Sequence, residues 1–165
     1  MINVGDIAPD FSLPATLVEP LPSTNGGDTS VPLGRTVTLT QYRGSIDVLV
    51  MFYPLDWSPV CSSEHIKCAK MFPTYANRLQ VLGISVDSVW SHSAFAKAHH
   101  IFYPLLSDFQ PRGAVAQQYG VYLSEFGFAA RTAFLVDKRG LVKLVLHAEV
   151  PEERELEAVL RDAPL

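Results

Sequence analysis

Two nearly continuous apolar runs, Ile46 to Tyr53 and Leu79 to Val86, restrict the fold of this chain more than any other feature. Each is rich in β-branched residues and has the length of a strand. Neither alternates with polar residues, so both of its faces must be buried, as in the central strands of a parallel sheet. Between them, Pro59 to Asn77 carries apolar residues at helical spacing, with Pro73 expected to kink or divide the helix. The three segments make a βαβ unit with a right-handed crossover.

Downstream, Ser91 to His100 predicts a short helix opened by a serine cap, and Arg112 to Tyr119 another closed by Gly120. Arg131 to Asp137 and Leu141 to His147 read as two strands joined by the turn Asp137-Lys138-Arg139-Gly140. Pro151 to Ala163 suits a surface helix, with acids early and Leu156, Val159 and Leu160 facing inward. The expected architecture is α/β: a mixed central sheet flanked by helices. Glu19 to Arg35 is dominated by Pro, Gly, Ser, Thr, Asn and Asp and reads as an exposed loop inserted into a single domain spanning 1–165.

A chain of 165 residues with 48% hydrophobic residues buries a sizeable core but is short for two domains. Its net charge of -4 gives no basic field for nucleic acid or anionic lipid, and no stretch approaches the ~18 apolar residues of a membrane span. Met1 to Asp6 has neither a basic nor an apolar leader pattern, so a soluble cytoplasmic protein with small-molecule or protein partners is expected. Two cysteines are too few for a disulfide scaffold, which leaves reactive, metal-bound or buried roles for them.

The chemistry concentrates in Tyr53-Pro54-Leu55-Asp56-Trp57-Ser58-Pro59-Val60-Cys61-Ser62-Ser63-Glu64, between the end of a buried strand and the start of a helix. Ser58 is a natural N-cap and Pro59 a natural first helical residue, which puts Cys61 in the first turn. Free backbone N–H groups and the positive end of the helix dipole lower a thiol's pKa there from ~8.5 towards neutrality. A reactive thiolate alone would not make a peroxidase: cleaving an O–O bond would further require donors that hold a peroxide in line and a fixed cation for the departing oxygen. The Ser58 hydroxyl and the N–H groups of Val60 and Cys61 supply the donors. Arg131, opening a later strand, is the best candidate for the cation, although read alone it is as readily a surface or salt-bridge arginine.

Pro54, Ser58 and Cys61 match the Pro-x-x-x-Thr/Ser-x-x-Cys motif of the peroxiredoxins, and Arg131 matches their distal arginine. Glu64 sits where many members carry a Glu that orients that arginine. The resemblance extends through Gly5-Asp6-x-Ala8-Pro9-x-Phe11 and Gly83-Ile84-Ser85-Val86-Asp87-Ser88 over nearly the whole chain. Through Ser91-His92-x-Ala94-Phe95-Ala96 and Pro104-Leu105-Leu106-Ser107-Asp108 it is most like the one-cysteine alkyl hydroperoxidase E type, with some similarity to bacterioferritin-comigratory or Q-type members. The resemblance implies a thioredoxin-like fold and reduction of hydrogen peroxide and organic hydroperoxides through a Cys61 sulfenic acid, with no cofactor and no metal. It also implies a thioredoxin-like, glutaredoxin-like or low-molecular-weight thiol as reductant, and a homodimer or larger assembly.

Other readings stand beside this one. Cys68 lies seven positions after Cys61, about 10 Å along a regular helix, whereas a disulfide needs Cα atoms within about 7 Å. It is either a resolving cysteine that demands local unwinding or a packed thiol. Cys61, His65 and Cys68 share one helical stripe, an incomplete set of soft metal ligands. His92, His99 and His100 read as a solvated helix face and Trp90 as core or interface. Trp57 reads as an apolar lip for an organic hydroperoxide, a dimer contact or simple packing. A thioredoxin-fold disulfide exchanger, which generally carries C-x-x-C, and a non-enzymatic redox relay are the alternative functions.

Overall fold

A computed structural model describes residues 1–16 and 35–162 of the chain. The expected loop from Glu19 to Arg35 therefore lies outside the described residues, apart from Arg35 itself, and so does Ala163. β1 (Ser12–Ala15) and β2 (Arg35–Thr38) form an antiparallel edge pair. A 3₁₀ turn, Leu39–Tyr42, leads into β3 (Asp47–Phe52), α1 (Pro59–Tyr75) and β4 (Leu79–Ser85). α2 (Val89–His99), β5 (Leu105–Ser107) and α3 (Ala114–Gln118) follow. A small pair, β6 (Tyr122–Leu123) and β7 (Phe128–Ala129), precedes β8 (Arg131–Val136), β9 (Val142–Ala148) and α4 (Leu156–Asp162).

The seven-stranded sheet has the order β2-β1-β5-β4-β3-β8-β9. β3, β4 and β5 are parallel, and β8 returns antiparallel beside β3. All six residues of β3 are buried, which is why its sequence shows no polar alternation. Val48, Val50 and Phe52 pack on one face of the sheet with Ile84, Tyr119 and Phe134, while Leu49 and Met51 pack on the other with Val81, Phe95 and Leu135. Each such side chain contributes roughly 1.5–3 kcal/mol by leaving water, so the register of these strands is firmly set. Because Phe52 stands opposite Thr132, that register brings Arg131 to the carboxyl end of β3, where the chain turns into α1.

The βαβ unit and the β8–β9 hairpin lie where the sequence predicts them, with Gly140 at φ +88 in the turn. Helix boundaries differ for local reasons. α1 is not divided at Pro73, which falls in its last turn, where a lost hydrogen bond costs least. α2 begins earlier than Ser91, because Ser88 is the cap and its hydroxyl accepts the Ser91 N–H at 3.2 Å. α3 is shorter than Arg112 to Tyr119, since the Asp108 carboxylate accepts the Val115 and Ala116 N–H groups at 3.1 and 2.9 Å and starts the helix there. α4 starts at Leu156 rather than Pro151, because Arg154 is drawn inward by Glu64. Leu156 and Leu160 are buried as expected; the Val159 side chain lies outside the described ones.

Candidate active site

The segment from Tyr53 to Ser58 links β3 to α1 and shapes the mouth of the helix. Pro54 is buried within it. Ser58 is the backbone N-cap, its carbonyl accepting the Ser62 N–H at 2.9 Å, and Pro59 is the first helical residue. The Ser58 hydroxyl does not cap, contrary to expectation: it donates to the Leu55 carbonyl at 3.2 Å. That bond ties the loop to itself and leaves the first-turn N–H groups of Val60 and Cys61 without an intrahelical partner. They face outward from the end of the helix as two donors beside Cys61.

Cys61 is fully buried, and Arg131 reaches it from β8 with Nη2 donating to Sγ at 3.4 Å. The rest of that guanidinium is fixed by Glu64 Oε2, 3.2 Å from Nη1, and by the Val150 carbonyl, 2.8 Å from Nη2. Glu64 stands one helical turn beyond Cys61, so one helix presents both the thiol and the carboxylate that aims its cation. Burial pushes the Glu64 carboxyl up. The hydrogen bonds and charge of Arg154, and then the charge of Arg131, outweigh it and hold the group below its usual value. Thus Pro54, Ser58, Val60, Cys61, Glu64 and Arg131 converge at one place.

Arg154 belongs to the same cluster and is invisible to the sequence reading. Its N–H and Nε donate to Glu64 Oε1 at 2.9 and 2.8 Å, and Nη1 donates to the Phe52 carbonyl at 3.0 Å. Two guanidiniums thus share one carboxylate, leaving one net positive charge beside the sulfur. The only trace in the sequence is a lone cation inside the acidic run Glu152-Glu153-Arg154-Glu155.

Cys68 is buried on α1 one turn after His65, and burial pushes its thiol up to about 12 despite a hydrogen bond from Tyr103. His65 is also fully buried, with Nδ1 2.8 Å from the Tyr103 hydroxyl, and burial together with the Arg154 charge lowers its pKa to about 3. Among the described residues, no group of three or more His, Cys, Asp or Glu side chains is placed to hold a metal ion.

Two surface expectations change. His92 is not on a solvated face but fully buried, its Nδ1 2.9 Å from Asp56, whereas His100 is exposed. Trp90 is exposed, which sets aside the core reading and leaves the interface one. Trp57 is 52% exposed, with its ring edge against Phe95 at 5.3 Å between centroids.

Residues 4–145 match the AhpC/TSA family. Alkyl hydroperoxide reductase E of Mycobacterium tuberculosis is 35% identical over 156 residues, 94% of this chain and 92% of that protein. Chloroplastic peroxiredoxin Q of Gentiana triflora is 32% identical over 130 residues, 78% of this chain and 58% of that protein. Among solved structures, the reduced 2-Cys peroxiredoxin of Plasmodium vivax superposes with a TM-score of 0.80 at 31% identity, covering 96% of this chain and 78% of that one. Enterococcus faecalis AhpC gives 0.81 at 25% identity, covering 98% and 90%. The fold is thioredoxin-like, and the chain belongs to the AhpC/TSA family of peroxiredoxins.

Proposed function

We propose that Cys61 is the attacking thiol of this thiol-dependent peroxidase, with Arg131, the Val60 and Cys61 N–H groups and Ser58 as the groups that hold the peroxide. The observation that carries these roles is the Arg131 Nη2 to Cys61 Sγ contact of 3.4 Å at the first turn of α1. The Cys61 thiolate attacks the terminal peroxide oxygen in line with the O–O bond. The S–O bond forms, the O–O bond breaks, and the departing oxygen takes up a proton to leave as an alcohol, or as water when the substrate is hydrogen peroxide. Cys61 is left as a sulfenic acid.

Negative charge moves from sulfur to the departing oxygen during this step, and a guanidinium already fixed by Glu64 and Val150 meets it without reorganising. The Ser58 hydroxyl, donating to Leu55, keeps lone pairs with which to accept the peroxide hydrogen. Pro54 shapes the loop and Trp57 forms an apolar lip beside it.

An external thiol then attacks the sulfenic sulfur and releases water; a second thiol resolves the mixed disulfide. We assign this reductant to a thioredoxin-like or glutaredoxin-like protein or a low-molecular-weight thiol, since the Cys68 thiol is buried on the same regular helix. A reducing compartment, the cytoplasm, suits that dependence. A homodimer or larger assembly is consistent with the exposed apolar surface at Trp57 and Trp90.

Rapid-mixing oxidation by hydrogen peroxide and by an organic hydroperoxide tests the assignment: Cys61→Ser abolishes turnover of both. A Cys61→Ser protein that consumed peroxide at the native rate would place the chemistry elsewhere.

A further inference from the structure

The loop that presents Ser58 and the helix mouth is gripped from its far side by α2. Asp56, buried in the middle of that loop, accepts the Tyr53 hydroxyl at 2.7 Å and the Ser91 hydroxyl at 2.8 Å, and its own N–H donates to Asp87 at 2.9 Å. His92 Nδ1 lies 2.9 Å from one Asp56 oxygen and 3.1 Å from the other. On the opposite edge of the same ring, Nε2 lies 3.1 Å from the Leu106 carbonyl of β5. Burial pushes the Asp56 carboxyl up, but the His92 bond and charge, with the Tyr53 and Ser91 bonds, hold it below its usual value. A carboxylate and a backbone carbonyl are both acceptors, so each edge of the His92 ring faces one. The ring bridges the active-site loop to the sheet.

A second observation points to the same loop. Trp57, immediately before Ser58, has φ +65, a left-handed conformation that a bulky non-glycine residue keeps only when its surroundings impose it. Those surroundings come from α2 as well: Trp57 Nε1 donates to Ser91 Oγ at 3.2 Å, and the ring edge rests on Phe95. Ser91 and His92 therefore hold two consecutive loop residues, Trp57 and Asp56. Neither His92 nor Asp56 is hydrogen-bonded to Cys61, Glu64, Arg131 or Arg154, and the loop is the covalent path from Asp56 to Ser58 and the mouth of α1.

We propose that His92 is a positioning residue for the peroxide reaction at Cys61, clamping the Leu55–Ser58 loop through Asp56 so that the donors at the mouth of α1 stay aligned with the sulfur. This rests on Cys61 being the attacking thiol. Misalignment of donors by a fraction of an ångström slows a reaction that needs them and leaves untouched one that does not.

The experiment pairs two reactions of the same sulfur. Oxidation by hydrogen peroxide uses the aligned donors; alkylation by iodoacetamide, followed by mass analysis at the Cys61 peptide, does not. In His92→Phe the oxidation rate constant falls about 10-fold or more while alkylation stays within about twofold. His92→Gln restores one donor and recovers part of the loss. If His92→Phe does not fold, Ser91→Ala carries the test, because it removes the hydroxyl that joins Asp56 to Trp57; oxidation then slows about threefold at constant alkylation. Native oxidation rates in the folded variants would overturn the proposal. So would equal falls in the two rates, which mark a general loss of packing. Failure of the Cys61 assignment is separately visible, because Cys61→Ser would then leave peroxide consumption of the otherwise native protein intact.

Discussion

Glu64 takes three hydrogen bonds from Arg154 and one from Arg131 while almost wholly buried, so neutralising it strands two guanidiniums in the core. Removing one partner from a buried charge cluster costs about 3–5 kcal/mol, far more than an exposed pair would. Glu64→Gln is therefore expected to lower the unfolding free energy by that amount in urea titrations at neutral pH. It should also slow peroxide consumption, because Arg131 loses the contact that aims it at Cys61. The sign of the pH dependence follows from the lowered carboxyl. Its stabilisation is fully present above the ordinary carboxylate range and is lost as pH falls through the depressed value, so native protein and Glu64→Gln converge in acid. A constant gap between them down to strongly acid pH would show that the carboxylate charge is not what holds the cluster.

At the scale of the element, α1 carries two cysteines with opposed environments. Cys61 meets a guanidinium in the first turn, whereas Cys68 lies two turns deeper with its thiol pushed up to about 12. After one equivalent of hydrogen peroxide and without added thiol, intact mass is expected to rise by one oxygen, equally in the native protein and in Cys68→Ala. A loss of two hydrogens confined to the native protein would make Cys68 the resolving thiol. The start of this helix is legible in the chain because local chemistry sets it: a residue that caps, a proline at the first position, and a cysteine two places on. The flanking strands are legible because burial on both faces leaves no polar alternation. Arg154 and His92 are not, since their partners lie 90 and 36 positions away and only tertiary packing introduces them. Arg154 sits among glutamates and looks like a surface residue. His92, in a helix with His99, has the polar spacing of a wet face, which a buried histidine–aspartate contact reproduces. The Ser58 hydroxyl illustrates the converse limit, where a correct cap position conceals a different hydrogen bond.

For the molecule as a whole, the buried histidine on α1 couples the packing of the sheet to pH. Gly83 on β4 makes room for it: a Cβ there would lie 3.2 Å from His65 Cε1 and 2.7 Å from Leu105 Cδ2, so α1 seats His65 against a strand without a side chain. Tyr53, Phe95 and Tyr103 surround the ring. In the folded protein its pKa is lowered to about 3, against 6.5 for the ordinary group. Above pH 6.5 it is neutral in both states and contributes no pH dependence. Below that, the unfolded chain takes up a proton that the folded one refuses, and stability falls by about 1.4 kcal/mol per pH unit until the folded group titrates. Between pH 7 and pH 5 the loss attributable to His65 is thus roughly 2 kcal/mol, in a window above that of the buried carboxylates Asp56 and Glu64, whose pKa values are both lowered. His65→Phe should be less stable at pH 7, through imperfect packing and the lost Tyr103 bond, yet lose less stability on acidification than the native protein. Urea titrations of both proteins at pH 7 and pH 5 measure the two slopes. If the slopes were the same, the ring would have to be reached by water or a proton in the folded state, and the close seat formed by Gly83 would be looser than its contacts require.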